Sequence, residues 1–369
     1  MGILGICALA AVLIGCTAGI ELQPGESRQE QRTPVVVSQP SADPTASPAQ
    51  ETTPHGIEDV ASLAATPEGA PPAPKGFRSA QEAHAAVASG QIAIIDRGEP
   101  LLDGVIETKD IEYGNVDGTR PLLLDLYQPS HRVGPAPGLI FIHGGGWKSG
   151  QRSDYRYYTM RFAQQGYVVA TISYRLSGEA TFPAAVQDVK CAVRWMRANA
   201  ALYNVDPDKI ALLGGSAGGY LAMMAGYAAD VPEFEGSGGH SGVSSRVQAV
   251  VNLYGPTDLT AAEARESEVV KAFLGKNYDE DPDLYKKASP YTYLSEDDPP
   301  TLIFHGTVDQ TVPVKHSDLL AAKLKELGIF YMYDRVEGWP HTMDLAREIN
   351  DRCQFIIREF LQQVFAPPV

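Results

Sequence analysis

The sequence predicts an α/β fold over residues 101–369, in which a mostly parallel central sheet carries helices on both faces. Three observations predict it. Short apolar runs recur between stretches of helical periodicity, and that alternation needs crossover helices that cover both faces of a parallel sheet. The turn signal Asp117-Gly118 sits between two strand-like runs, as in a hairpin. At 369 residues and 44% hydrophobic content, the chain can build a sizeable core in one large domain or two ordinary ones.

The elements follow in order. Ile111-Glu112-Tyr113 and Leu122 to Tyr127 flank the hairpin signal. The buried-strand runs are Leu139 to Ile142, Tyr167 to Ala170, Ile210 to Leu213, Val247 to Val251 and Thr301 to Phe304, with a last strand over Phe330 to Val336. Between the second and third of these, Val186, Val189, Val193 and Met196 share one helical face, and residues 319–327 and 349–364 read the same way. Residues 256–299 form a long insertion containing Phe273, Tyr278, Tyr285, Tyr291 and Tyr293. Two readings stay open for it, a partial cap lining an acyl or sugar pocket and a packed pair of surface helices.

Ahead of this domain lie two further zones. Ile3 to Ile14 has the length of a signal-peptide apolar core and is too short to span a bilayer comfortably. It ends in Leu13-Ile14-Gly15-Cys16, which resembles a bacterial lipobox, although no Lys or Arg precedes the run. The resemblance implies removal of residues 1–15, lipidation of Cys16 and an exported protein anchored at the cell envelope, at a bacterial outer membrane, with plain secretion as the alternative. Residues 17–100 are expected to be a disordered Pro/Ser/Ala-rich linker, because such composition buries too little apolar surface to offset ordering entropy. Phe77 to Ile95 carries the pattern of a short helix and strand.

The composition excludes several classes. A formal charge of −15, with no basic stripe, gives no footprint for nucleic acid. None of the four cysteines forms a CxxC pair and there is no HExxH, so no metal or redox site is expected. Cys191 and Cys353 read as buried free thiols on amphipathic helices, with a disulfide between them as the alternative.

The chemistry concentrates in two glycine-rich turns. Gly214-Gly215-Ser216-Ala217-Gly218 fits G-x-S-x-G between an incoming strand and an outgoing helix. A serine at such a sharp turn is presented as a nucleophile, the glycines permit the close chain crossing, and the Ala217 N–H faces the developing oxyanion. Upstream, His143-Gly144-Gly145-Gly146-Trp147 follows a strand directly, and a glycine run there lets backbone N–H donors approach the same charge. It lacks the Lys-Ser/Thr of a phosphate loop. A serine needs a base and an orienting acid. His341, just after the last strand, is the expected base, while His305 reads as structural and His316 as exposed at a helix start. Asp309, after the strand 301–304, is the preferred acid over Asp258, which fits a cap or pocket support. Trp147 and Trp339 are expected near the pocket mouth as substrate-binding aromatics.

From Ile111 to Phe365 the chain resembles the α/β-hydrolase superfamily, and within it the hormone-sensitive-lipase-related carboxylesterases, most of all the bacterial bifunctional feruloyl and acetyl xylan esterases. The matching stretches are Tyr113-Gly114 to Pro129, His143 to Trp147, Ser173-Tyr174-Arg175-Leu176, Asn204 to Pro207, Gly214 to Gly219 and His305 to Pro313. The resemblance implies a triad of Ser216, Asp309 and His341, oxyanion donors at Gly144, Gly145 and Ala217, and no cofactor. It implies hydrolysis of carbohydrate acetyl or feruloyl esters, with other small esters or an arylformamidase-like amide substrate as alternatives. Trp339-Pro340 before the histidine departs from the small residue usual in the superfamily.

Overall fold

The computed structural model describes residues 63, 65–131 and 134–366. The apolar run, the lipobox at Cys16 and the first part of the expected linker lie outside them. Eight strands form one sheet: β1 (Val105–Val116), β2 (Arg120–Pro129), β3 (Ala136–Ile142), β4 (Val168–Ile172), β5 (Val205–Gly215), β6 (Ala249–Leu253), β7 (Thr301–Gly306) and β8 (Tyr331–Val336). Their order is β1-β2-β4-β3-β5-β6-β7-β8. β2 is antiparallel to both β1 and β4, and every other neighbouring pair is parallel. At the β1–β2 turn Asp117 and Gly118 both have positive φ, 54° and 69°, as a twist-matched hairpin requires.

The helices are α1 (Ala80–Ala88), α2 (Arg156–Gln164), α3 (Ala184–Ala198), α4 (Ala200–Tyr203), α5 (Ala217–Tyr227), α6 (Ala262–Arg265), α7 (Glu268–Leu274), α8 (Pro282–Lys287), α9 (Lys315–Glu326) and α10 (Arg347–Phe365). Successive strand residues face opposite sides of a sheet. Ile140 and Ile142 of β3 accordingly join Val189, Leu221 and Leu320 of α3, α5 and α9, while Leu139 and Phe141 join Phe162 and Ile356 of α2 and α10. Both faces being covered, the central strands are apolar at almost every position instead of alternating. The helical face read from the sequence, Val186, Val189, Val193 and Met196, is wholly buried. Cys191 and Cys353 are buried free thiols. They sit in the cores on opposite faces, and a sheet between them prevents any bridge.

The expected boundary at residue 101 is too late. From residue 65 the chain is already fixed to the sheet, where Ala65 pairs antiparallel with Tyr333 of β8. Ser79 then caps α1 by accepting from the Glu82 N–H, and Ile94 bridges Ala346. Composition hid this. The buried face of α1 consists only of Ala80, Ala83 and Ala86, and the proline-rich piece before it is held in good part through its own backbone groups, at Ala65, Pro71, Pro74 and Phe77, which need no apolar side chain to bond.

One buried ion pair locks the turn after β4 onto α3. Asp188 accepts from the Arg175 backbone N–H at 2.8 Å and from its guanidinium at 2.7 Å, and is 1% exposed. Replacing Asp188 by Ala leaves that guanidinium uncompensated. Urea denaturation is expected to show a loss of about 3–5 kcal/mol.

Candidate active site

The site is built where β5 ends. β5 stops at Gly215 and α5 starts at Ala217, so the chain reverses at one residue. Ser216 takes φ 56° and ψ −123°, a conformation that non-glycine residues hold only under constraint from their surroundings. Its N–H donates to Leu253 O of β6 at 2.9 Å, and its carbonyl accepts from Tyr220 N at 3.0 Å. A Cβ on Gly218 would overlap the Ile142 carbonyl at the end of β3, and one on Gly214 would overlap Gly218. Those two positions therefore require glycine.

Three loops at this end of the sheet meet around Ser216. His341 Nε2 lies 2.9 Å from Ser216 Oγ, and His341 Nδ1 lies 2.6 Å from Asp309 Oδ2. The carboxylate can only accept, so Nδ1 carries the proton and Nε2 is free to accept from the hydroxyl. Burial pushes the Asp309 carboxyl up, but the charge of His341 and hydrogen bonds from His305 and His341 outweigh it and hold the group well below the usual carboxylate range. Its second oxygen accepts from Thr311 N at 2.8 Å and Val312 N at 2.9 Å.

His305 reads from the sequence as structural, and it also touches the site. Fully buried, it reaches Ser317 Oγ at 2.7 Å through Nδ1, and places Nε2 2.8 Å from Val312 O and 3.3 Å from Asp309 Oδ2. Sequence reasoning missed two further neighbours. Tyr254, with φ 46°, sets its ring edge-on to the His341 imidazole at 4.8 Å, and its hydroxyl donates to the fully buried Asp344. The spacing of Asp344, three residues past His341, was the only signal available for it.

Asp258 makes no hydrogen bond to this relay. It closes a local turn, accepting from Thr260 N at 2.8 Å and Thr260 Oγ1 at 2.7 Å. The expectation that His316 is exposed is corrected: it is 2% exposed. Its Nε2 lies 3.1 Å from Glu263 Oε1, and its Nδ1 accepts from Thr257 N at 3.3 Å. The insertion folds over the start of α9 and covers it.

The glycine loop after β3 is fastened through its carbonyls. Gly144 O meets His143 Nδ1 at 2.8 Å, and Gly145 O accepts from Lys148 N at 3.3 Å and Ser149 N at 3.1 Å. Among the described residues the Gly144 and Gly145 N–H groups donate no backbone hydrogen bond. Gly144 lies against Ser216, since a Cβ there would be 3.4 Å from the serine Cβ. Ala217 N–H, at the first position of α5, has no acceptor within its helix. These are the N–H groups that the sequence reading expects as oxyanion donors.

The two tryptophans are not at a pocket mouth. Trp147 is buried, stacked on Phe273 of α7 at 4.3 Å and edge-on to Tyr220 at 5.0 Å. Trp339 is buried beneath Phe77, with its indole N–H donating to Pro74 O at 3.2 Å. Phe273 and Tyr285 of the insertion are likewise buried, so these aromatics fasten it to the domain.

Fold and site together define an α/β-hydrolase with a serine–histidine–aspartate arrangement. Residues 124–324 match the model of the BD-FAE family, and the chain belongs to that family. Esterase LipQ of Mycobacterium tuberculosis is 34% identical over 284 residues, covering 74% of this chain and 66% of LipQ. A truncated carbohydrate esterase from gut microbiota superposes with a TM-score of 0.63 at 28% identity, over 71% of this chain and 99% of that one. Thermogutta terrifontis Est2 with butyrate bound gives 0.61 at 28% identity, over 73% and 98%. Across the first three curated relatives, this chain spans 54% to 66% of their length.

The insertion is anchored by Glu263. The hydrogen bond from His316 lowers its pKa most, burial opposes, and Lys315 at 2.7 Å adds to the lowering, which brings it from 4.5 to about 2. A carboxylate whose pKa falls on folding stabilises fully above its unfolded value and loses that contribution as pH drops through the folded one. The stability difference between the wild type and Glu263→Gln, read by urea denaturation, is therefore expected to shrink as pH falls from 4.5 to about 2.

Proposed function

We propose that this chain is a serine carboxylesterase working through an acyl-enzyme, with acetyl or feruloyl esters of carbohydrate as its substrate class. The observation that carries the reading is the continuous hydrogen-bonded series from Ser216 through His341 to Asp309. Ser216 Oγ attacks the ester carbonyl while its proton passes to His341 Nε2. Asp309, ionised, keeps the imidazole in the required tautomer and balances the imidazolium. The tetrahedral oxygen is received by the N–H groups of Ala217, Gly144 and Gly145. His341 gives its proton to the departing alcohol, and a water activated by the same imidazole then releases the acid from Ser216.

Membership of the BD-FAE family and the likeness to a gut carbohydrate esterase support a carbohydrate ester. A second reading, short-chain esters unrelated to carbohydrate, is favoured by the burial of Trp147 and Trp339, which withdraws both expected sugar-stacking rings. The likeness to Thermogutta terrifontis Est2 with butyrate bound and with propionate bound points the same way. An arylformamidase-like amide hydrolase would share the glycine-loop chemistry.

The test is hydrolysis by the purified chain of acetylated xylan, feruloyl-sugar esters, p-nitrophenyl acetate to decanoate, and formyl-kynurenine. Ser216→Ala is expected to lower kcat by about 10⁴–10⁶-fold with the fold retained, and near-wild-type activity would sink the mechanism. Release of acetate or ferulate from polysaccharide selects the carbohydrate reading, and turnover of short synthetic esters alone selects the second.

For its location we propose an envelope protein, lipidated at Cys16 and held by the proline-rich stretch after it, which acts as a spacer. Expressed in a bacterial host fed a labelled fatty acid, the wild type is expected to carry the label and Cys16→Ala to lack it. Equal label in both, or none in the wild type, would overturn the anchor.

A further inference from the structure

We propose that residues 65–95 act as a strap that positions the catalytic histidine. The inference rests on the Ser216–His341–Asp309 reading. The loop bearing His341 runs from the end of β8 to the start of α10 and contains only one short 3-10 turn, Met343–Leu345. A loop with so little regular structure owes its position to what it touches.

On its inner side two ties reach the acid loop. Gly338 N donates to Thr307 Oγ1 at 2.8 Å, and Val308 N donates to Trp339 O at 3.2 Å. On its outer side the ties belong to the strap, and they grip the loop both before and after His341. Before it, Phe77 N donates to Gly338 O at 2.8 Å, the Phe77 ring stands edge-on to Trp339 at 5.5 Å, and the Trp339 indole donates to Pro74 O. After it, Ile95 N donates to Leu345 O at 2.9 Å and Arg347 N donates to Ala93 O at 2.8 Å. Between these grips Gln81 of α1 donates to Gln310, the neighbour of Asp309, at 3.1 Å. The backbones meet directly: Gly338 has φ 72°, and a Cβ on it would come 2.6 Å from the Phe77 nitrogen.

This explains the departure from the superfamily at Trp339. A large indole two residues before the base is the surface on which the strap closes, with its ring covered and its N–H satisfied. Transfer of the Ser216 proton depends on a 2.9 Å contact that the His341 loop must hold. Phe77 and Trp339 are thus positioning residues, acting through the loop without touching the ester.

The test uses the full chain with Phe77→Ala, Phe77→Leu and Trp339→Phe, beside Ser216→Ala. Reactive sites are counted by titration with an organophosphonate, and kcat and KM on p-nitrophenyl acetate are expressed per titrated site. A 1 Å misplacement of a catalytic group costs up to about 100-fold, so Phe77→Ala is expected to lose about 10-fold or more in per-site kcat with KM little changed. Phe77→Leu, which restores the apolar contact, recovers most of it, and Trp339→Phe, which keeps one aromatic ring but loses the five-membered ring with its N–H, falls by a smaller factor in the same direction. The strap is overturned if per-site kcat of Phe77→Ala stays at the wild-type value, or if its loss lies wholly in the number of titrated sites. Should Phe77→Ala fail to fold, an unchanged per-site kcat in Trp339→Phe overturns it. Activity surviving in Ser216→Ala is the separate outcome that removes the triad itself.

Discussion

The site depends on one close approach, that of Gly218 to the Ile142 carbonyl. α5 can start only one residue after β5 if its first turn lies against the end of β3, and only glycine leaves room for that. The same contact brings two distant parts of the sequence together. Ile142 is the last residue of β3 before the glycine loop, so the helix that follows Ser216 is pressed against the strand that leads into that loop. The positions of Ser216 and of the glycine loop are thus coupled by one packing contact. The strained backbone at Ser216 is held by its hydrogen bond to β6 on one side and by this crossing on the other.

Around that fixed point the charged part of the relay is supported in layers. Asp309 is buried, and burial alone would favour the neutral acid, which could not balance an imidazolium. His341, His305 and two backbone N–H groups hold it as the carboxylate. On the other flank, Tyr254 and Asp344 fill the space beside the imidazole. Motion of His341 away from Ser216 is thus opposed from several directions, as a preorganised site requires.

The sequence carried the sheet, the two glycine turns and all three members of the relay, because each has a local signature: a continuous apolar run, a glycine where a side chain cannot fit, a histidine in the loop after the last strand. It failed where a residue's surroundings come from distant chain. His316 looks solvent-facing at a helix start and is buried because the insertion, more than forty residues upstream, closes over it. Trp339 looks available to a ligand and is covered by Pro74 and Phe77, more than 250 residues earlier. Residues 65–100 read as linker because they are tied to the domain in good part through their own backbone groups, on which composition does not report.

The limits of the family match bear on how the site is assembled. Residues 124–324 contain Ser216, Asp309 and the glycine loop, whereas His341 and everything that grips its loop from outside fall beyond them. The matched residues thus hold Ser216, the glycine loop and Asp309 just beyond the ends of central strands. His341 follows on a loop after the matched residues, and that loop is bonded to residues 74–95, which precede them. Sheet edges and loops are where related chains can differ without disturbing a packed core. Differences in how firmly the histidine is held, and in what closes over Trp339, can arise in the terminal segments while the strained serine and its donors stay unchanged.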